Sequence, residues 1–158
     1  IPKRFISTIM KALVQRVQSA HVRVEDKIAG SINQGLLVFL GVSIHDTEIQ
    51  VLQLARKVAR LRIFADDKAP MNIDVQSVEG GILVVSQFTL HAQTKKGNRP
   101  SFIDAAPGAQ AEPLYLAFME CLRLETGLDI QSGIFGADMQ VTLVNDGPVT
   151  IILDTDQY

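Results

Sequence analysis

The chain has 158 residues, 47% of them hydrophobic and 20% charged, which is the balance of one globular domain and excludes a disordered, fibrous or coiled-coil chain. Its single cysteine, Cys121, excludes an internal disulfide and a multi-cysteine zinc knuckle, and fits a reducing, intracellular setting. With a formal net charge of -2, no tryptophan and 6% aromatic residues, nothing global advertises nucleic-acid binding or a broad base-stacking platform. Any such contact must be a local patch.

Residues 1–9 (IPKRFISTI) lack the continuous apolar run of a signal peptide and read as a foreign leader or an alternative start ahead of a domain over 10–158. Without Lys3 and Arg4 the formal charge of -2 becomes -4. No segment approaches the roughly 20 apolar residues that span a bilayer, so a soluble, cytoplasmic protein is expected.

From Met10 the pattern is that of a strand. Ala12, Val14 and Val17 lie among Lys11, Gln15 and Arg16, and Val22 and Val24 alternate with Arg23 and Glu25. Glu25-Asp26-Lys27 marks a turn. The run from Gly35 to Val42 is continuously apolar between glycines, as in a strand buried on both faces. Asp46 or Thr47 is placed to cap a helix running to about Phe64, with Arg56, Lys57 and Arg60 on its wet side.

Gly80-Gly81 opens a second buried strand, expected over Ile82 to Leu90, followed by a basic, turn-rich loop from Lys95 to Pro100. A second helix fits Glu112 to Thr126, with Pro113 in its first turn and Gly127 as its stop. Met139 to Asn145 and Val149 to Leu153 are expected as two strands around a turn at Asp146-Gly147-Pro148. This order predicts a single α/β domain: two strands, two βα units, then three strands, forming a mixed sheet with two main helices. Neither a GxGxxG nor a GxxxxGKS/T loop is present, which gives nucleotide-binding folds little support.

Conventional hydrolytic side chains are scarce. His21 in an alternating strand and His45 before a helix read as surface or capping residues, whereas His91 at the end of a buried strand is more suggestive. No HExxH spacing exists, so no metal site is expected. Cys121, among Met119, Leu122 and Leu124 on a helix, reads as a buried, inert thiol.

Two polar islands remain. Ser86-Gln87-Phe88-Thr89 directly follows Ile82-Leu83-Val84-Val85, and its hydroxyl and amide groups need either backbone partners or a ligand. Asn145-Asp146-Gly147-Pro148-Val149-Thr150 reads as a turn, and its Gly-Pro bond is open to the cis form because the trans preference is only about 0.5–1 kcal/mol. Composition and spacing go no further than this.

Met10-Lys11-Ala12-Leu13-Val14-Gln15-Arg16-Val17, Gly35-Leu36-Leu37-Val38, Ser86-Gln87-Phe88-Thr89-Leu90, Lys95 to Phe102, Phe135-Gly136-Ala137-Asp138-Met139 and Asn145 to Thr150 follow one another along the chain. In these segments, from Met10 to the last residue, the sequence resembles the D-aminoacyl-tRNA deacylases of the bacterial and eukaryotic type. Only residues 1–9 depart.

The resemblance implies a homodimer that hydrolyses the ester between a D-amino acid and the terminal ribose of tRNA, as chirality proofreading in translation, without a cofactor. Glycyl-tRNA mischarged on tRNA-Ala would be a further substrate. Gly147 and Pro148, joined by a cis bond, would enter the opposite subunit's pocket and leave no room for an L side chain, so that steric exclusion does the selecting. Ser86, Gln87, Phe88 and Thr89 would form the catalytic segment. Main-chain N–H groups around Gln87, Phe88 and Thr89 would stabilise the oxyanion, while the side chains of Ser86 and Gln87 orient the adenosine end. The 2′-OH of the tRNA would help to activate water.

Thr89 as a nucleophile lacks a visible base, and a structural hydroxyl is the other reading. Lys95, Lys96 and Arg99 are either contacts to acceptor-stem phosphates or a solvated turn. Two alternatives stay open: a related deacylase with a wider pocket acting on mischarged L-alanyl-tRNA, and a non-catalytic nucleic-acid-binding module.

Overall fold

The alternation that begins at Met10 produces a 14-residue strand, β1 (Lys11–Val24), in the computed structural model, which describes residues 9–158. The leader expected over residues 1–9 lies, but for Ile9, outside the described residues. Glu25, at φ 53°, starts the expected turn into β2 (Lys27–Ile32), which runs back antiparallel along the second half of β1. The glycine-bounded apolar run forms β3 (Gly35–Gly41), antiparallel to the first half of β1.

A helix, α1 (Glu48–Arg60), follows β3. Thr47 caps it, its hydroxyl accepting from Ile49 N, while the Gln50 side chain accepts from Thr47 N at 2.8 Å. Asp46, the other cap candidate, turns inward instead. Its carboxylate accepts the N–H groups of Met10 and Ser43, each at 2.7 Å. The helix ends at Arg60, four residues before the expected Phe64, which instead pairs in an isolated bridge with Ile73.

The second buried strand, β4 (Gly81–Ser86), is parallel to β3 but shorter than expected. Its pairing stops at Leu40↔Ser86, and Phe88–His91 form one 3₁₀ turn. The second helix, α2 (Gly108–Thr126), starts four residues early behind Pro107, so Pro113 lies inside the helix and not in its first turn. Gly127, at φ 66°, ends it, donating to the Arg123 carbonyl.

Ile130–Ser132 (β5) add a third parallel strand, and Met139–Asp154 form one continuous strand, β6, along β1. The hairpin expected at Asp146-Gly147-Pro148 is therefore absent: two strands close the domain, not three, and the Gly147–Pro148 segment is a bulge. Four residues, Asp146 to Val149, lie opposite Arg16 alone, between the pairs Gln15↔Thr150 and Val17↔Asn145.

These six strands and two helices make a single α/β domain with a mixed sheet. The sheet curls until its edges nearly meet. At Gly30 in β2 a side chain would place its first carbon 2.4 Å from the Ser132 carbonyl of β5, so only glycine allows this approach.

The curl explains why β3 and β4 read as continuously apolar. Leu36, Val38, Leu40, Ile82 and Val84 face the core shared with α1 and α2, while Leu37, Leu83 and Val85 face a second core inside the curl. β1 serves both: Ala12 and Val14 belong to the first core, and Val17, Ala20 and Val22 to the second. Truncating Leu37 to Ala would cost about 3 kcal/mol, the usual figure for such a core site.

Candidate active site

Parallel strands end with their carbonyls unpaired on one side of the sheet, and ligand sites of α/β folds form there. Here three consecutive carbonyls at the end of β3 dock the segments of the site. The Leu40 carbonyl accepts Gln87 N at 2.7 Å, the Gly41 carbonyl meets His91 Nε2 at 2.9 Å, and the Val42 carbonyl accepts Ala106 N at 2.9 Å. Around this end opens a cavity of about 250 Å³. Ser86 and Phe88 line one side, Ala106 and Ala111 another, and Tyr115, Phe135 and Met139 the floor and far wall.

The lining is largely apolar. Tyr115 and Phe135 pack with ring centroids 5.6 Å apart, and the Tyr115 hydroxyl donates to the Val84 carbonyl at 3.1 Å, which leaves its ring as a flat apolar wall. Burial raises the Tyr115 pKa above the usual phenol value, so this hydroxyl stays protonated.

Of the four residues of the first polar island, Ser86 and Phe88 line the cavity, and Gln87 and Thr89 alternate with them along the chain. Ser86 ends β4, Gln87 precedes the 3₁₀ turn, and Phe88 and Thr89 open it. The first N–H groups of such a turn have no carbonyl behind them. Among the described residues, Phe88 N and Thr89 N donate to no protein acceptor, whereas Gln87 N is taken by Leu40 and Leu90 N by the Gln87 carbonyl. The Thr89 hydroxyl accepts a hydrogen bond from the Gln87 side-chain amide. An amide cannot serve as a base toward it, and among the described residues no histidine or carboxylate hydrogen-bonds to it. Phe88 is 55% exposed and meets Phe102 edge to face at 5.0 Å.

Phe102 roots the basic loop. Gln93 and Ser101 close the loop with reciprocal backbone bonds of 2.8 and 2.9 Å, and Gly97, at φ 75°, forms its tip. Lys95, Lys96 and Arg99 are all exposed there, and among the described residues none enters an ion pair. The other basic group is different. Arg56 and Arg60 both reach Glu125 on α2, at 3.1 and 3.3 Å, and Lys57 lies 4.7 Å above the Tyr158 ring. These three tie helix and C-terminal segment together, which is more than a wet face.

The second polar island is built as a rigid bracket. The Gly147–Pro148 bond is cis, and Gly147 has φ 142°, a region that side chains rarely tolerate. A first side-chain carbon at Gly147 would lie 2.8 Å from Val149 Cγ2. The Asn145 amide spans the loop, accepting from Val149 N at 2.9 Å and donating to the Val149 carbonyl at 3.1 Å. Arg16 donates through Nε to the Asp146 carbonyl at 3.0 Å. Gly147 and Pro148 are exposed and do not line the cavity that Ser86 and Phe88 line. The two islands are thus separate features of the chain.

Sequence reasoning missed Arg16 and Asn145 as supports of this loop. A signal existed for Arg16, which falls on the inward phase set by Met10, Ala12 and Val14. His91 sits at the end of the 3₁₀ turn, not in a strand, and is 1% exposed. Cys121 is half-buried, with burial pushing its thiol pKa up, and Leu124 nearby on the helix is exposed. Among the described residues no cluster of His, Cys, Asp or Glu has the arrangement of a metal site, and no helix is long and apolar enough to cross a membrane.

Comparison with known proteins gives this geometry a context. A D-aminoacyl-tRNA deacylase of Christiangramia forsetii is 51% identical over 148 residues, covering 94% of this chain and 99% of the relative. One of Opitutus terrae is 54% identical over 146 residues, covering 92% and 97%. A solved structure named "c-Myc DNA Unwinding Element Binding Protein" superposes with a TM-score of 0.86 at 43% identity, covering 92% of this chain and 98% of that one. The profile of the D-Tyr-tRNA(Tyr) deacylases matches residues 13–154, which contain both polar islands, the basic loop and the residues that hold them, and the chain belongs to that family.

Proposed function

We propose that this protein hydrolyses the ester linking a D-amino acid to the terminal ribose of tRNA, releasing both. The observation that carries the reading is the adjacent pair of N–H groups, Phe88 and Thr89, left without an acceptor at the mouth of an apolar cavity. Two such donors are what a developing oxyanion requires, and one donor of this kind is worth about 10²–10³ in rate. The flat walls of Tyr115 and Phe135 suit the base of the terminal adenosine, with Ser86 and Gln87 orienting it. Lys95, Lys96 and Arg99 would take backbone phosphates, which position the RNA without reading its sequence.

A structural role for the Thr89 hydroxyl is supported by its acceptance of a hydrogen bond from the Gln87 amide, which is not a base. Water attacks, assisted by the ribose 2′-OH, and the ester's own lability makes a preorganised oxyanion site sufficient.

Selection against L substrates falls to Gly147 and Pro148 of a second copy of the chain. Their exposure and their absence from their own cavity support a homodimeric site. So does the apolar surface beside them, where Ile152, 70% exposed, adjoins Leu13 and Leu90. The main-chain carbonyls of Gly147 and Pro148, in a loop that Asn145 and Arg16 brace at Val149 and Asp146, would exclude an L side chain and pass D side chains and glycine. The glycyl ester mischarged on tRNA-Ala is therefore a second substrate.

Deacylation of D-tyrosyl-tRNA beside L-tyrosyl-tRNA tests the proposal. Release from the D-charged RNA alone is expected; equal release from both would overturn the selector, and release from neither would overturn the hydrolase. A nucleic-acid-binding module has its own support, since the solved structure compared above is named as a DNA-binding protein. Binding of uncharged tRNA without turnover of any D-aminoacyl ester would favour that reading, and turnover of L-alanyl-tRNA would favour the wider-pocket relative.

A further inference from the structure

The 3₁₀ turn bearing Phe88 and Thr89 is clamped at both ends to consecutive carbonyls of one strand. Gln87 N fixes its entry to Leu40 at 2.7 Å, and the His91 ring fixes its exit to Gly41 through Nε2 at 2.9 Å. A carbonyl only accepts, so this contact demands the tautomer with its proton on Nε2. The other ring nitrogen, Nδ1, is then a buried lone pair, and it has no partner among the described residues. Leaving a buried polar atom unpaired is costly, and core packing alone would be served better by a phenyl or leucyl side chain.

The strand end is shaped to receive the turn. A first side-chain carbon at Gly41 would lie 3.0 Å from Leu90 Cβ, 3.1 Å from the Gln87 carbonyl and 3.1 Å from His91 Cδ2. Glycine lets the backbone of β3 approach closely enough for the imidazole to reach the carbonyl.

We propose that His91 is a positioning residue for the hydrolysis: as a neutral Nε2–H donor it pins the exit of the turn to Gly41 and so holds the Phe88 and Thr89 N–H groups on the ester oxygen. The proposal rests on the deacylase reading. Three charged groups face the ring. Lys11 on β1 disfavours a second proton, while Asp154 on β6 and Asp104, after the basic loop, favour one. Burial outweighs them and holds the His91 pKa below the ordinary histidine value. A protonated ring would carry a second buried N–H with no acceptor, so acid should loosen the clamp.

The test pairs His91→Phe, which keeps a ring and loses the donor, with His91→Gln, which restores an N–H of similar reach. Rates are read on D-tyrosyl-tRNA, and the Phe88 and Thr89 amides are followed by ¹⁵N–¹H NMR. His91→Phe is expected to lower kcat about 10–100-fold with KM within about twofold, as a small misplacement of catalytic groups does. Both amides should shift, and His91→Gln should recover most of the loss. Wild-type kcat should fall with a one-proton slope on acidification below the ordinary histidine range, and His91→Gln should lack that slope.

Unchanged kcat and unmoved amides in His91→Phe would overturn the proposal. If His91→Phe does not fold, His91→Met replaces it. Loss of kcat in step with loss of melting temperature, without rescue by His91→Gln, would make the residue merely structural and overturn the proposal as well. Should the wild type hydrolyse nothing, the deacylase reading fails by itself, and the amide shifts still decide whether His91 holds the turn.

Discussion

Arg16 and Asp146 face each other across the larger of the two places where β1 and β6 lose register, with Arg16 Nε donating to the Asp146 carbonyl at 3.0 Å. The same guanidinium donates through Nη1 to the Ile63 carbonyl beyond α1, at 2.6 Å. It thus fastens the Gly147–Pro148 bracket to the body of the domain through two main-chain acceptors. The carboxylate of Asp146, 3.7 Å away and partly exposed, adds little by comparison.

Replacing Arg16 by Met keeps the stem and removes both donors. Hydrogen bonds from a charged group contribute about 1.5–3 kcal/mol each, so a stability loss of about 3 kcal/mol is expected. With the bracket selecting as proposed, the ratio of D to L turnover should fall roughly tenfold or more, because the loop loses its brace at Asp146 while the Phe88 and Thr89 N–H groups are untouched. An unchanged ratio in a folded variant would show that Asn145 alone fixes the bracket.

Asp46 makes stability depend on pH with a definite sign. Burial raises its pKa from 3.8 to about 6, outweighing the two N–H groups it accepts. A folded-state value above the unfolded one stabilises fully below about pH 4 and is lost as pH rises through about 6. A shift of this size corresponds to about 3 kcal/mol. Urea unfolding of wild type and Asp46→Asn across pH 4 to 8 checks it: the difference between them should move by about 3 kcal/mol in favour of the variant as pH rises. His91 acts oppositely, since a depressed histidine pKa gives stability that is lost as pH falls below the unfolded value of 6.5.

Thr89→Ala separates a main-chain oxyanion site from a threonine nucleophile. The variant keeps the N–H at this position and loses only the hydroxyl that accepts from Gln87. Turnover should fall by less than about tenfold, whereas removal of a true nucleophile costs on the order of 10⁴–10⁶. Single-turnover deacylation of D-tyrosyl-tRNA distinguishes these at once.

Neutralising Lys95, Lys96 and Arg99 together should raise KM for D-aminoacyl-tRNA and leave kcat within about threefold. Every phosphate left without its cation lowers the slope of log affinity against log salt by about 0.7–0.9, so the triple variant should bind with a visibly flatter salt dependence. Identical slopes for variant and wild type would assign the loop to solvent.

The long alternation of β1, the glycine-bounded apolar run of β3 and both helices were legible because each carries its signal in its own residues. Legibility failed where a tertiary partner ended or extended an element. Phe88 and Leu90 extend the apolar run of Ile82 to Val85, but the pairing of β4 with β3 stops at Leu40, and the chain closes into a 3₁₀ turn. Asp146-Gly147-Pro148 has turn chemistry, yet Arg16 and Asn145 bridge it within a continuous strand. Both polar islands were visible as residues out of keeping with their surroundings. Their separation in the fold was not, because it depends on the pairing that sets one at the end of β4 and the other opposite Arg16 in the middle of β1.

The pairing of β1 with β6 also sets an order of events during synthesis. Lys11 pairs with Asp154, and the Met10 carbonyl accepts from both the backbone and the hydroxyl of Thr155. β1 leaves the ribosome first among the strands and waits, its edge open, until β6 has been made. Contacts this distant along the chain slow folding. The 3₁₀ turn can dock on β3 before then, but the Gly147–Pro148 bracket exists only once β6 has joined β1. A nascent chain therefore acquires this bracket last, and a domain truncated before Met139 would possess the 3₁₀ turn without it.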